Sequence, residues 1–234
     1  MRRLATMCQV LKVERSGFYA WLEQPRSTRG RTLHVRNCIH TRSCTVIRIC
    51  KVDFEAVSDV LIRRADPDEI NVLTAIDDDA AMLFMQAGID VDFPPDHEFL
   101  IHERFRLSLT VTSGTALLAT DHAREPVGFV ALGWLDGGAY IEQLSVRMQA
   151  MRRGIGTLLL NAVSALAKAN GERTISLTTY GHLPWNRPFY ERNGYTVVPE
   201  TACGVEIARE LEIQRRWLPR PDQRVAMSKS LGSA

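Results

Sequence analysis

The residues best suited to chemistry stand where a strand-like run gives way to a helix-like one. AYIEQLSV (139–146) passes through a short loop into MRRGIGTLLLNAVSALAKANG. There Leu158, Leu159, Ala162, Leu166 and Ala169 share one helical face, and Gly171 is a suitable stop. Gly154 and Gly156 lie at the join. A helix start offers backbone N–H groups that have no intrahelical acceptor, and its dipole turns a positive end outward. Residues without a Cβ let an anion come close, so the chemistry expected at Met151, Arg152, Arg153, Gly154, Ile155, Gly156 and Thr157 is phosphate binding, carried by backbone donors more than by the two arginine charges.

Such a loop needs a sheet behind it, and the flanking sequence supplies one. VLIRRAD (60–66) is a strand candidate. The segment after Asp66 opens with a proline at a helix-start position and places Ile70, Leu73, Ile76, Ala80 and Leu83 at helical spacing. Pro94 and Pro95 interrupt it, and HEFLIHERFRL suggests a second helix. TALLATD, EPVGFVALGWLDG and AYIEQLSV read as three successive strands with a turn at Gly137-Gly138. ISLTTY and the final RVAMSKSL are the last strand candidates.

IEQLSVRMQAMRRGIGTLLL, followed about thirty residues later by LPWNRPFYERNGYTVV, resembles the acetyl-CoA-binding motif and the following Tyr-containing helix of the GNAT superfamily of N-acetyltransferases. The resemblance spans roughly residues 60–231. It implies an α/β fold: a twisted, mixed, mostly antiparallel sheet flanked by helices, with strand 139–146 parallel to the strand near 174–179 and splayed from it. Two positions depart from the motif. Met151 stands where the family has Gln or Arg, and Asn186 precedes Tyr190 by four residues rather than seven.

The resemblance also implies the roles. Acetyl-CoA is the cosubstrate, its pyrophosphate on residues 151–157 and its arm along Leu144, Ser145 and Val146, with an N–H near Val146 polarising the thioester carbonyl. Asn186 orients the arm. Tyr190 is the candidate general acid, because a phenol of reference pKa ~10 stays protonated at neutral pH and can donate to the departing sulfur; the same helix could instead pack Phe189 and Tyr190 into the core. Glu142 is the candidate general base, and simple alternation would put it on one face with Leu144 and Val146. No motif cysteine argues for an acetyl-enzyme, so direct attack by a primary amine is expected.

Composition bounds the rest. No run approaches the ~18 apolar residues of a membrane span and no signal peptide is evident, so a cytoplasmic location is expected. The five cysteines form no CxxC pair, and no metal is expected. Residues 1–51 carry eleven Lys/Arg against two Asp/Glu, a balance of +9, while the remainder stands at −7. CQVLKVERSGFYAWLEQP within the first 27 residues resembles the start of the second reading frame of insertion-sequence transposases, which marks residues 1–51 as a basic arm, fusion fragment and linker. So short an arm lacks the scaffold that presents a groove-reading helix, which argues against nucleic acid as a partner. Its apolar positions could cover a neighbouring subunit in a homodimer.

For the acceptor, the carboxylates Asp77, Asp78, Asp79, Asp90, Asp92, Asp96 and Glu98, with Trp134, Tyr140 and Trp185 as flat walls, favour a small cationic amine such as an aminoglycoside. A protein N-terminus or lysine is the alternative acceptor. A non-catalytic acyl-CoA-sensing regulator is the further alternative.

Overall fold

The computed structural model describes residues 60–232. Residues 1–51, including the transposase-like stretch, lie outside them. Seven strands, β1 (Leu61–Arg64), β2 (Ala116–Thr120), β3 (Pro126–Leu135), β4 (Gly138–Val146), β5 (Thr174–Tyr180), β6 (Thr196–Val198) and β7 (Arg224–Ser230), form one sheet in the order β1-β2-β3-β4-β5-β7-β6. Every neighbouring pair is antiparallel except β4 and β5. This is the mixed, mostly antiparallel α/β sheet the sequence leads one to expect.

Helices α1 (Ile70–Gln86) and α2 (Glu98–Thr112) cover one face, burying Leu73, Ile76, Leu107 and Val111 against Leu118, Phe129 and Ala131. Helix α3 (Ile155–Ala169) covers the other, where Leu159, Leu160, Val163 and Leu166 meet Leu117, Val130, Leu132 and Ile141. The alternation of Leu117 and Leu118, or of Phe129 and Val130, between the two cores is the period-2 geometry of strands buried on both faces. The short helix α4 (Arg187–Arg192) carries Tyr190.

Helix α5 (Val205–Trp217) packs on β7 and was not anticipated from sequence. Its start is capped from a distance. Asp136, in the β3–β4 turn, accepts from the amides of Glu206 (2.8 Å) and Ile207 (3.0 Å), and its own N–H donates to the Glu206 carboxylate. A Cβ on Gly204 would collide with that aspartate, 2.6 Å from Oδ1, so the glycine admits the cap.

Candidate active site

The β4–β5 pairing lasts for only two residue pairs, Ala139 with Ile175 and Tyr140 with Ser176. Beyond Tyr140 the parallel strands separate, leaving one edge of Glu142 to Val146 without a strand partner. The phase of the β3–β4 ladder decides which groups face that gap. Arg147 N–H donates to Val127 O at 2.9 Å, so in the registered antiparallel run the Phe129–Ser145 and Ala131–Gln143 pairs are also the hydrogen-bonded ones. Leu144 and Val146 therefore present their N–H and C=O groups to the open edge. An extended ligand could pair there as a strand would.

Ser145 belongs elsewhere. Its backbone points toward β3, and its hydroxyl donates to Asp77 Oδ1 of α1 at 2.6 Å.

At the end of β4 the chain turns through a 3₁₀ segment, Met148–Ala150, and half-buried Met151 into the loop. Arg152 and Gly154 both adopt left-handed backbone, φ 61° and 82°. Gly154 does so without the steric cost a side chain brings. The first intrahelical bond of α3 runs from Leu158 N–H to Gly154 O (3.0 Å), so the amides of Ile155, Gly156 and Thr157 are its open donors, beside exposed Arg152, Arg153 and Gly154. The amides, the positive end of the helix and the exposed guanidinium groups suit a pyrophosphate.

Gly156 serves a second purpose that sequence did not show. A Cβ there would stand 3.0 Å from Phe189 Cζ, so α3 meets α4 at this glycine. Asn186 precedes α4, and its carbonyl accepts from Tyr190 N–H at 3.0 Å. Tyr190 packs on the α3-side core with its ring 5.2 Å from Phe189 and 5.7 Å from Tyr195. Tyr190 thus packs as the core reading of this helix expected, and burial pushes its phenol up to about 12, so it stays protonated.

Glu142 is where simple alternation fails. Ala131 pairs with Gln143 and Leu132 with Ile141, so Glu142 is the extra residue of a β-bulge. Ile141, Leu144 and Val146 pack toward α3, whereas Glu142 lies on the α1–α2 side, paired with Arg106 of α2. It therefore does not share a face with Leu144 and Val146. Burial pushes its carboxyl up to about 8; Arg106 opposes the rise, and the carboxylates of Glu103 and Glu210 add to it.

Arg106 and Glu210 were missed in the sequence. The second terminal nitrogen of Arg106 pairs with Glu210 of α5. Glu210 also accepts from Gln214 Nε2 (2.7 Å), and Gln214 Oε1 accepts from Arg224 of β7 (Nε, 3.1 Å). Burial alone would lower the Arg106 guanidinium, but the adjoining carboxylates of Glu142 and Glu210 raise it further above its usual range.

Several expected acceptor groups have other occupations. Asp79 accepts from Met148 N–H at 2.7 Å, and Asp77 holds Ser145, so both pin α1 to the end of β4. Trp134 packs on the α3-side core and donates to Glu172 Oε1 (2.8 Å). Tyr140 is buried with its hydroxyl on Thr178 (2.8 Å). Trp185 packs with Phe84 and Tyr180, its ring edge-on to Phe84 at 6.3 Å. Asp78, Asp90, Asp92, Asp96 and Glu98 remain exposed. His182 is exposed, and burial followed by Arg220 lowers its pKa.

Residues 82–195 match the Acetyltransferase (GNAT) family. Among solved structures the chain is similar to the PaiA N-acetyltransferase of Thermoplasma acidophilum in complex with coenzyme A, at TM-score 0.55 and 14% identity over 73% of this chain and 98% of that one. A GNAT-family acetyltransferase of Staphylococcus aureus Mu50 gives 0.54 and 20% over 74% and 99%. N-acetylglutamate synthase of Neisseria gonorrhoeae, complexed with coenzyme A and N-acetyl-glutamate, gives 0.53 and 19% over 76% of this chain, which spans only 36% of that longer one. The last three likenesses bear on the fold; the family match and the site geometry bear on the chemistry. Residues 82–195 are a GNAT acetyltransferase domain, and the reaction is acyl transfer with acetyl-CoA as cosubstrate.

Proposed function

We propose that this protein moves the acetyl group of acetyl-CoA to the primary amine of a small cationic molecule by direct attack. The observation that carries the reading is the opening between β4 and β5, with the Leu144 and Val146 backbone on its edge, the bulged Glu142 beside it and the α3 amides at its end. The amides of residues 152–157 hold the pyrophosphate. Leu144 and Val146 pair with the pantetheine arm, Asn186 orients it, and the Val146 N–H stabilises the carbonyl oxygen as it gains charge. Glu142, directly or through water, takes a proton from the acceptor ammonium, and the free amine then attacks the thioester carbonyl. As the C–S bond breaks, Tyr190 gives its proton to the leaving thiolate and recovers one from the acylated nitrogen. Holding amine and thioester together supplies much of the remaining rate.

A cationic acceptor is favoured by the charges around Glu142. Glu103 and Glu210 accompany it, and Arg106 has both terminal nitrogens engaged by carboxylates rather than turned to an acceptor. The experiment is release of free thiol from acetyl-CoA across aminoglycosides, spermidine, histamine, neutral amino-acid amides and short peptides, at two ionic strengths. Preference for polycations that weakens with salt is expected; preference for peptides would move the reading to a protein acceptor. Turnover with no amine would leave an acyl-CoA-binding protein.

A further inference from the structure

Gly133, the second of two glycines in β3, has no backbone reason to be there. It pairs with Tyr140 in the β3–β4 ladder and is not among the glycines of positive φ, so any residue could adopt its backbone. Glycine inside a strand weakens it and commonly marks a close approach by something else. Here the three atoms nearest to a Cβ built on Gly133 all belong to Glu142: Oε1, Cδ at 2.7 Å and Cγ at 2.9 Å. The bulge turns Glu142 toward α2, and the side chain then folds back over β3 into the space the glycine leaves. Its far side meets Arg106, itself fixed by Glu210. The side chains of Glu142 and Arg106 keep only 12% and 14% of their exposure.

We propose that Gly133 is a positioning residue for the general base: its missing side chain is the slot that sets where the Glu142 carboxylate stands, with Arg106 closing the other side. The inference rests on the base role given to Glu142 above. A methyl group at Gly133 leaves the strand backbone acceptable and displaces the Glu142 side chain from Cγ outward, against Arg106. It therefore moves the carboxylate without touching the cosubstrate loop.

The test is a double-mutant cycle between Gly133→Ala and Glu142→Gln, with kcat, the KM for acetyl-CoA and the pH profile measured for each. Misplacement of a catalytic group by about 1 Å can cost ~10²-fold. Gly133→Ala is expected to lower kcat by about that factor, change the acid limb of the pH profile and leave the KM for acetyl-CoA within about twofold, while adding nothing further in the Glu142→Gln background. If Glu142→Gln costs activity and Gly133→Ala costs none, or if the two losses multiply independently, the slot is wrong while the base stands. If Glu142→Gln is harmless, the base role falls and takes the slot with it. Thermal unfolding provides a second arm should Gly133→Ala fold poorly: in a Glu142→Ala background the added methyl should no longer destabilise, and equal destabilisation in both backgrounds overturns the proposal.

Discussion

Phe189 Cζ lies 3.0 Å from where a Cβ of Gly156 would stand, which couples the phosphate-loop helix to the helix that carries Tyr190. A substitution at Gly156 therefore acts twice, once on the donors at the start of α3 and once on the seat of α4. Gly156→Ala should cost at most about 2 kcal/mol of stability, the ~1–3 kcal/mol of overpacking less the ~1 kcal/mol that alanine gains over glycine in a helix. Gly156→Glu should also abolish acetyl-CoA binding by adding negative charge at the proposed pyrophosphate site. Calorimetric titration with acetyl-CoA checks this; wild-type affinity in Gly156→Glu would remove the loop from the site.

Tyr190→Phe keeps the ring contacts with Phe189 and Tyr195 and removes only the proton donor. Since burial holds the phenol at about 12, it is protonated throughout an ordinary assay range and contributes no alkaline limb there. The expected result is a fall in kcat of ~10² to 10⁴-fold with little change in the KM for acetyl-CoA. A kcat within about twofold of wild type, where chemistry limits, would leave Tyr190 as packing alone.

What the sequence made legible was local. Gly137 turns β3 into β4, Gly154 starts α3, and apolar spacing along α3 marks its buried face, all from neighbours in the chain. The reach of Glu142 depends on a register shift against β3, which alternation alone cannot supply. Arg106 and Glu210 are 104 residues apart and meet only when α5 folds onto the sheet. Ile207 and Leu211 at i, i+4 after Gly204 were the available sign of α5, and an isolated Gly133 inside a strand pattern was a sign of close approach. Asp77 and Asp79 looked like a charged surface because a sequence does not show that Ser145 and Met148 N–H stand across from them.

Asp77 supplies a pH dependence with a definite sign. Burial raises its carboxyl to about 6 from 3.8; the Ser145 hydrogen bond opposes the shift and Glu103 adds to it. Between those values the folded chain keeps a proton that the unfolded chain has released. Its contribution to stability is therefore complete below about pH 4 and is lost as pH rises through about 6. Asp77→Asn cannot titrate and retains an oxygen for Ser145, so it should gain on wild type by about 1–3 kcal/mol between pH 4 and 7. Urea denaturation of both proteins at the two pH values measures it; a difference independent of pH would contradict the assignment.

The acetyltransferase core should stand without the basic arm. β1 begins at Leu61 and pairs with β2, and Val60 is already buried in the α3-side core. Removing residues 1–51 leaves all of these in place. The shortened chain should fold, bind acetyl-CoA and turn over with kcat within about twofold of the full chain, the scatter expected when no site contact is lost. Insolubility, or loss of most activity, would make the arm part of the working protein.

Activity should follow the ionisation of Glu142. A base works only when deprotonated, and burial holds this carboxyl at about 8, so kcat/KM should fall close to tenfold per pH unit below that value. The acceptor ammonium must also lose a proton and can produce a similar limb. Two acceptors of different amine pKa separate the causes: a limb set by Glu142 stays in place, and one set by the acceptor moves with it. Glu142→Gln should remove the protein-dependent limb and lower kcat/KM above pH 8 by ~10²-fold or more. If the limb tracks the acceptor in wild type and survives unchanged in Glu142→Gln, proton removal belongs to solvent, and the raised carboxyl serves only to hold Arg106 between β4 and α5.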